Sequence, residues 1–154
     1  MTIAAPRTAG LICPAATCVF DLPAEGPSVG VARRMVRAYL RAHRHGDDIL
    51  ESASLVISEL VTNAIRHAGG IRVTCSIRMR ARAVRIEVGD DGAIEPRVEV
   101  RHGGVDECGG RGLLLVDALS ADWGTYRRAA DEEGPGTVVW AVVGAGDGHG
   151  WGGL

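Results

Sequence analysis

Residues 55 to 70, LVISELVTNAIRHAGG, follow an apolar helical pattern that carries two polar side chains where a buried helix should not have them. Leu55, Val56, Leu60, Val61, Ala64, Ile65 and Ala68 recur at three-and-four spacing, so one broad stripe faces a core. Glu59 and Asn63 fall on a neighbouring stripe. One helical turn apart, their Cβ atoms stand about 5–6 Å from each other, near enough to act on one ligand. A carboxylate can take a proton, and an amide oxygen can ligate a hard cation such as Mg²⁺. A lone pair of this kind also fits a solvated helix face, so the rest of the chain decides between the two.

With 154 residues, 46% of them hydrophobic and 23% charged, the chain reads as one soluble domain large enough to bury a core. A net charge of -2 gives no reason to expect nucleic acid as a partner. All 17 basic residues are arginine. That excludes a P-loop lysine or a Schiff-base lysine and leaves arginine, metal ions or backbone N–H groups to meet any phosphate. Cys13, Cys18, Cys75 and Cys108 contain no C-x-x-C pair, which argues against zinc and for reduced structural thiols. The mild run from Ala9 to Ala16 is interrupted by Pro14, too weak for a signal peptide and too short to span a membrane. The expectation is a cytoplasmic protein.

In chain order, residues 1–16 form a loosely ordered N-terminal segment rich in Ala, Thr and Pro. Thr17 to Leu22 alternates as a strand. Ser28 is the expected N-cap of a helix reaching about His43, with Val29, Ala32, Met35, Val36, Tyr39 and Leu40 on one face. Arg33, Arg34, Arg37 and Arg41 take the other face, as a solvated or partner-facing stripe. Gly46 should end that helix, Asp47 or Asp48 should cap the next, and Gly69 and Gly70 should stop it.

A hairpin follows, with Ile71, Val73, Cys75, Ile77 and Met79 inward on the first strand and Val84, Ile86 and Val88 inward on the second. Continuing the period of two, the next inward residue is Asp90. A carboxylate there needs donors or the mouth of a pocket, unless the strand simply peels into the Asp91-Gly92 turn. Residues 94 to 108 have the length and aperiodicity of a lid or binding loop. Gly109, Gly110 and Gly112 then open a helix with Leu113, Leu114, Leu115, Val116 and Leu119 in the core. Free N–H groups at such a start suit an anion, with Arg111 adding charge. Two more strands, 121–128 and 137–143, complete a domain of residues 17–143, and residues 144–154 form a disordered glycine-rich tail. The order of elements implies an α+β two-layer sandwich: a mixed, largely antiparallel sheet covered on one face by about three helices.

E-L-V-T-N-A-I-R-H on a helix, V-G-D-D-G after a strand and G-R-G-L-L-L-V opening a helix, in that order, resemble the GHKL (Bergerat-fold) ATP-binding domain. Within it, the small size and the GRGLLLVDAL-x-x-x-WG segment look like the anti-sigma-factor serine/threonine kinases. The resemblance implies ATP and Mg²⁺. Asn63 matches the Mg²⁺ ligand and Glu59 the general base. Asp90 matches the acceptor of the adenine amino group, with Gly92 admitting the base. Gly110, Arg111, Gly112 and Leu113 match the phosphate-binding segment, and Thr137 a residue supporting the adenine pocket. It further implies transfer of the γ-phosphate to a Ser or Thr of a STAS-type anti-sigma-factor antagonist, sequestration of a sigma factor, and a homodimer as a common state. His67, a turn beyond Asn63, can touch the site but more readily packs at the helix end. The chain departs from the D-x-G-x-G pattern by carrying Ile94 at the second glycine. A non-catalytic module, in which ATP only sets partner affinity, is the alternative reading.

Overall fold

In a computed structural model of the chain, the described residues are 17–67, 70–80, 82–92, 110–128 and 136–144, with the side chains of 110 and 111 excepted. They form β1 (Thr17–Pro23), α1 (Ser28–Ala42), α2 (Asp47–His67), β2 (Arg72–Arg80), β3 (Ala83–Asp90), α3 (Gly110–Leu119), β4 (Asp122–Arg128) and β5 (Gly136–Gly144). The expected N-terminal segment, the lid with Ile94 and Cys108, and the tail beyond Gly144 lie outside the described residues.

The strands make one sheet in the order β1-β2-β3-β5-β4, and every neighbouring pair is antiparallel. Among the described residues the sheet is therefore wholly antiparallel rather than mixed. β5 inserts between β3 and the edge strand β4, so the chain leaves β3, passes through α3 and returns two positions further out, leaving the gap that β5 fills. The hairpin register is the one that the alternation predicts, with Val73 opposite Asp90 and Ile77 opposite Ile86. Val73, Cys75, Ile77, Val84, Ile86 and Val88 form the floor of the core. All three helices lie over this face, with α2 packed between α1 and α3 and against β3 and β5 beneath.

Several local expectations are corrected. Ser28 does not cap α1: Pro27 occupies the N-cap position, and the buried Ser28 hydroxyl donates to the Pro23 carbonyl at 2.6 Å, pinning the helix start to the end of β1. α1 is stopped before Gly46, by Arg44 at φ 59°. The Arg44 N–H donates to Arg41 O and the His45 N–H to Leu40 O, the pair of reverse bonds that closes a helix C-terminus, here around a residue that is not glycine. The arginine stripe is not simply solvated either. Arg33 Nε donates to Ser58 Oγ at 2.9 Å, and Arg37 pairs with Glu51 at 2.8 Å, tying α1 to α2.

In α2 the buried stripe runs through Leu50, Ala53, Ile57, Leu60, Val61 and Ala64. Leu55 is 45% exposed because it stands one turn before Glu59, on the polar stripe instead of the core stripe. Ile71 is 82% exposed, since it precedes the first laddered residue of β2 and its inward parity no longer binds it to the sheet. In α3, Val116 is buried with Leu113 and Leu119 packed beside it, whereas Leu114 sits on the outer face and is exposed.

Candidate functional site

Two clusters stand at one end of the sandwich. The first lies between α2 and α3. Gly112 faces α2 so closely that a Cβ on it would stand 2.5 Å from Glu59 Oε2. A side chain of any size there would push the Glu59 carboxylate away. Beside this contact is a cavity of about 400 Å³ lined by Glu59, Thr62, Asn63, Arg66, His67, Gly112 and Leu113. The helical spacing of the polar stripe explains the lining: Thr62 and Asn63 follow Glu59 by three and four residues along α2, and Arg66 and His67 follow Asn63 by three and four.

Gly110 and Arg111 form the beginning of α3, whose N-terminal backbone carries N–H groups without helical partners. Glu59 and Asn63 are half-buried, and Arg66 and His67 are exposed. Thr62 Oγ1 donates to the Ser58 carbonyl at 2.7 Å, which fixes its rotamer at the cavity wall. His67 thus lines the cavity and is not confined to helix-end packing. Thr62 was not singled out from the sequence, although it lies three residues after Glu59; Arg66, with His67 one turn beyond Asn63, was given no role there.

The second cluster is the end of β3. Asp90 is inward, as its register requires, and half-buried. Gly92 N–H donates to Asp90 Oδ1 at 3.0 Å, and the backbone N–H of Thr137 donates to the same carboxyl. Burial pushes the Asp90 pKa above the ordinary carboxylate value; the two N–H groups and the charge of Arg128 oppose this, and the charge of Asp91 adds to it. Asp91 turns the other way and accepts the Arg72 N–H at 3.1 Å, so the two aspartates of the D-D-G sequence brace different strands.

Glu59, Asn63, Gly112 and Leu113 therefore meet around one cavity, while Asp90, Gly92 and Thr137 meet at the strand end. Asp90 is not among the residues that line the cavity. Trp123 and Tyr126 take no part in either cluster. Trp123 is buried with its Nε1 donating to Asp117 at 2.8 Å, and Tyr126 Oη donates to Glu87 on the outer sheet face at 3.1 Å. Among the described residues, no group of three or more His, Cys, Asp or Glu side chains is arranged to hold a metal ion. No described helix is long and apolar enough to cross a membrane. Cys18 and Cys75 are buried, and burial holds the Cys75 thiol protonated.

Comparison with known proteins bears on this arrangement. The family model for the histidine kinase-like ATPase domain matches residues 22–143. Among solved structures, the RsbU and RsbW domains of Rv1364c from Mycobacterium tuberculosis align with a TM-score of 0.58 at 20% identity, over 84% of this chain and 32% of that one. The present chain thus spans about a third of the length of that protein, and the likeness is one of fold. A histidine kinase domain from the blue-light activated kinase of Erythrobacter litoralis aligns at a TM-score of 0.45 and 24% identity, over 80% and 61% of the two chains. No curated protein matches.

Proposed function

Because the chain belongs to the histidine kinase-like ATPase domain family, we propose that it binds ATP between α2, α3 and the end of β3 and passes the γ-phosphate to a serine or threonine of a protein partner. The cavity that collects Glu59, Asn63 and Gly112 is the observation that carries the proposal. Asp90 accepts a hydrogen bond from the adenine amino group, and Gly92 leaves the base room to approach. The start of α3, from Gly110 to Leu113, receives phosphate oxygens on its free N–H groups. Thr137 supports the base by holding Asp90 through its own N–H.

Mg²⁺ fits the donor set. A protein-only cage is missing among the described residues, but this ion keeps several waters and takes most of its other ligands from substrate phosphates. The amide oxygen of Asn63 is a hard donor at the cavity wall and would hold it. Such an ion would supply neutralisation of phosphate charge. In the transfer itself, Glu59 accepts the hydroxyl proton while the new O–P bond forms and the bond to ADP breaks. Arg66, also at the wall, adds a cation in a chain that has no lysine.

The partner class follows from the resemblance to anti-sigma-factor kinases and from the fold shared with the RsbW-containing protein: a STAS-type antagonist as phosphate acceptor and a sigma factor as sequestered ligand. Calorimetric titration of Mg-ATP into wild type and Asp90→Asn tests the nucleotide site. Binding that the variant loses supports it, and a wild type that binds nothing at millimolar ATP overturns it. Acid-stable label on a STAS partner, lost in Glu59→Ala, supports the kinase. Intact binding with no labelled product leaves a non-catalytic module.

A further inference from the structure

Arg128 ends the edge strand β4 with its side chain on the outer face of the sheet, on the same parity as Tyr126 and Gly124. Its guanidinium does not stay at the edge. Nη2 donates to the carbonyl of Asp90 at 3.0 Å, two strands away, by lying across Gly136 of β5. Gly136 is what makes the crossing possible. A Cβ there would collide with the Asp90 carbonyl oxygen and stand 3.1 Å from Arg128 Nη2. Gly89, also on the outer face, would present a Cβ 3.9 Å from Arg128 Nη1. Two glycines, one at the start of β5 and one near the end of β3, thus border one arginine head.

The contact falls where the sheet needs it. The β3–β5 ladder ends at the pair Gly89–Val138, and Asp90 lies one residue beyond. We propose that Arg128 is a positioning residue for adenine recognition: its guanidinium, laid across Gly136, holds the Asp90 carbonyl and so fixes where the Asp90 carboxylate stands on the opposite face. The favourable charge of Arg128 on that carboxylate acts in the same sense. The inference rests on the nucleotide reading given above and adds to it the residue that sets base selectivity.

The test measures affinity of the full chain for Mg-ATP and for Mg-inosine triphosphate, whose base lacks the amino group that Asp90 would bind. Arg128→Met should weaken ATP about tenfold, the equivalent of ~1.4 kcal/mol, and leave inosine triphosphate nearly unchanged, so that selectivity is lost. Arg128→Gln keeps a polar head on a stem too short to cross Gly136; it should lose the same selectivity and serves if the methionine variant does not fold. Arg85→Met removes another outer-face arginine, one that pairs with Glu87 and lies 4.3 Å over the Trp140 ring, and should keep wild-type selectivity. A selective wild type with equally selective Arg128 variants overturns this inference alone, as does an equal loss of both nucleotides. A wild type that binds neither nucleotide, or both alike, overturns the reading of Asp90 and this inference with it.

Discussion

The two ends of the proposed site are built differently. At the strand end, Asp90 is braced by the N–H groups of Gly92 and Thr137 on its carboxyl and by Arg128 on its carbonyl. Between α2 and α3, the candidate side chains stand on one helix surface around an open cavity, and Gly112 approaches the Glu59 carboxylate closely. A group that recognises a flat base gains from rigidity, because affinity lost to disorder is not recovered by contacts. A group that takes a proton during transfer must meet its partner only in the reacting geometry. The contrast suggests that changes at the two ends should separate binding from transfer.

The largest effect is expected at the cavity. Glu59→Ala should bind Mg-ATP normally yet lower transfer to a STAS partner by about 10²–10⁴-fold, the usual contribution of a general base. A loss of binding as large as the loss of transfer, measured by calorimetry and phosphate labelling together, would erase the distinction between the two ends.

Asp90→Asn should do the reverse, lowering ATP affinity by about 10- to 100-fold, as for a lost hydrogen bond to a charged group. It should also raise stability at neutral pH. Burial raises the Asp90 pKa in the folded state, so the folded protein binds this proton more tightly than the unfolded chain does. Whatever favours folding through that proton is complete below the unfolded carboxylate value and is lost as pH rises through the raised one. Urea unfolding of wild type and variant should therefore converge in acid and diverge, with the variant more stable, near pH 7. Equal stabilities at pH 7 would count against a strained carboxylate.

Arg66→Gln is expected to weaken ATP by about three- to tenfold, the worth of one ordinary hydrogen bond, and to leave adenosine binding unchanged; an effect on adenosine would mean that the ends are not separable. The smallest change lies away from both. Arg44→Gly relieves a left-handed residue at the end of α1 and should stabilise the fold by about 0.5–1 kcal/mol with no change in ATP affinity. Thermal unfolding with calorimetry checks both halves of that statement.

Legibility in the sequence followed the range of the signal. The inward position of Asp90 came from six preceding residues alternating with period two, and the stacking of Glu59 and Asn63 from one helical turn. Leu55 and Leu114 were misplaced because a run of consecutive apolar residues satisfies more than one stripe, and only the packing of α2 against α1 and α3 chooses among them. Arg44 gave no signal at all, since a helix stop in the left-handed region normally announces itself as glycine. Thr62 was within reach of the same helical rule that found Asn63.

The sequence by itself determined the elements, the hairpin register and the faces on which Glu59, Asn63 and Asp90 stand, because these depend on periods of two and 3.6 residues along a local stretch. Tertiary structure alone decided that β5 would lie between β3 and β4, and with it that Gly136 would pass beside Asp90 and Arg128 would reach across. Those contacts join residues 38 or more positions apart. No local pattern encodes such a pairing; it exists only once the sheet has closed.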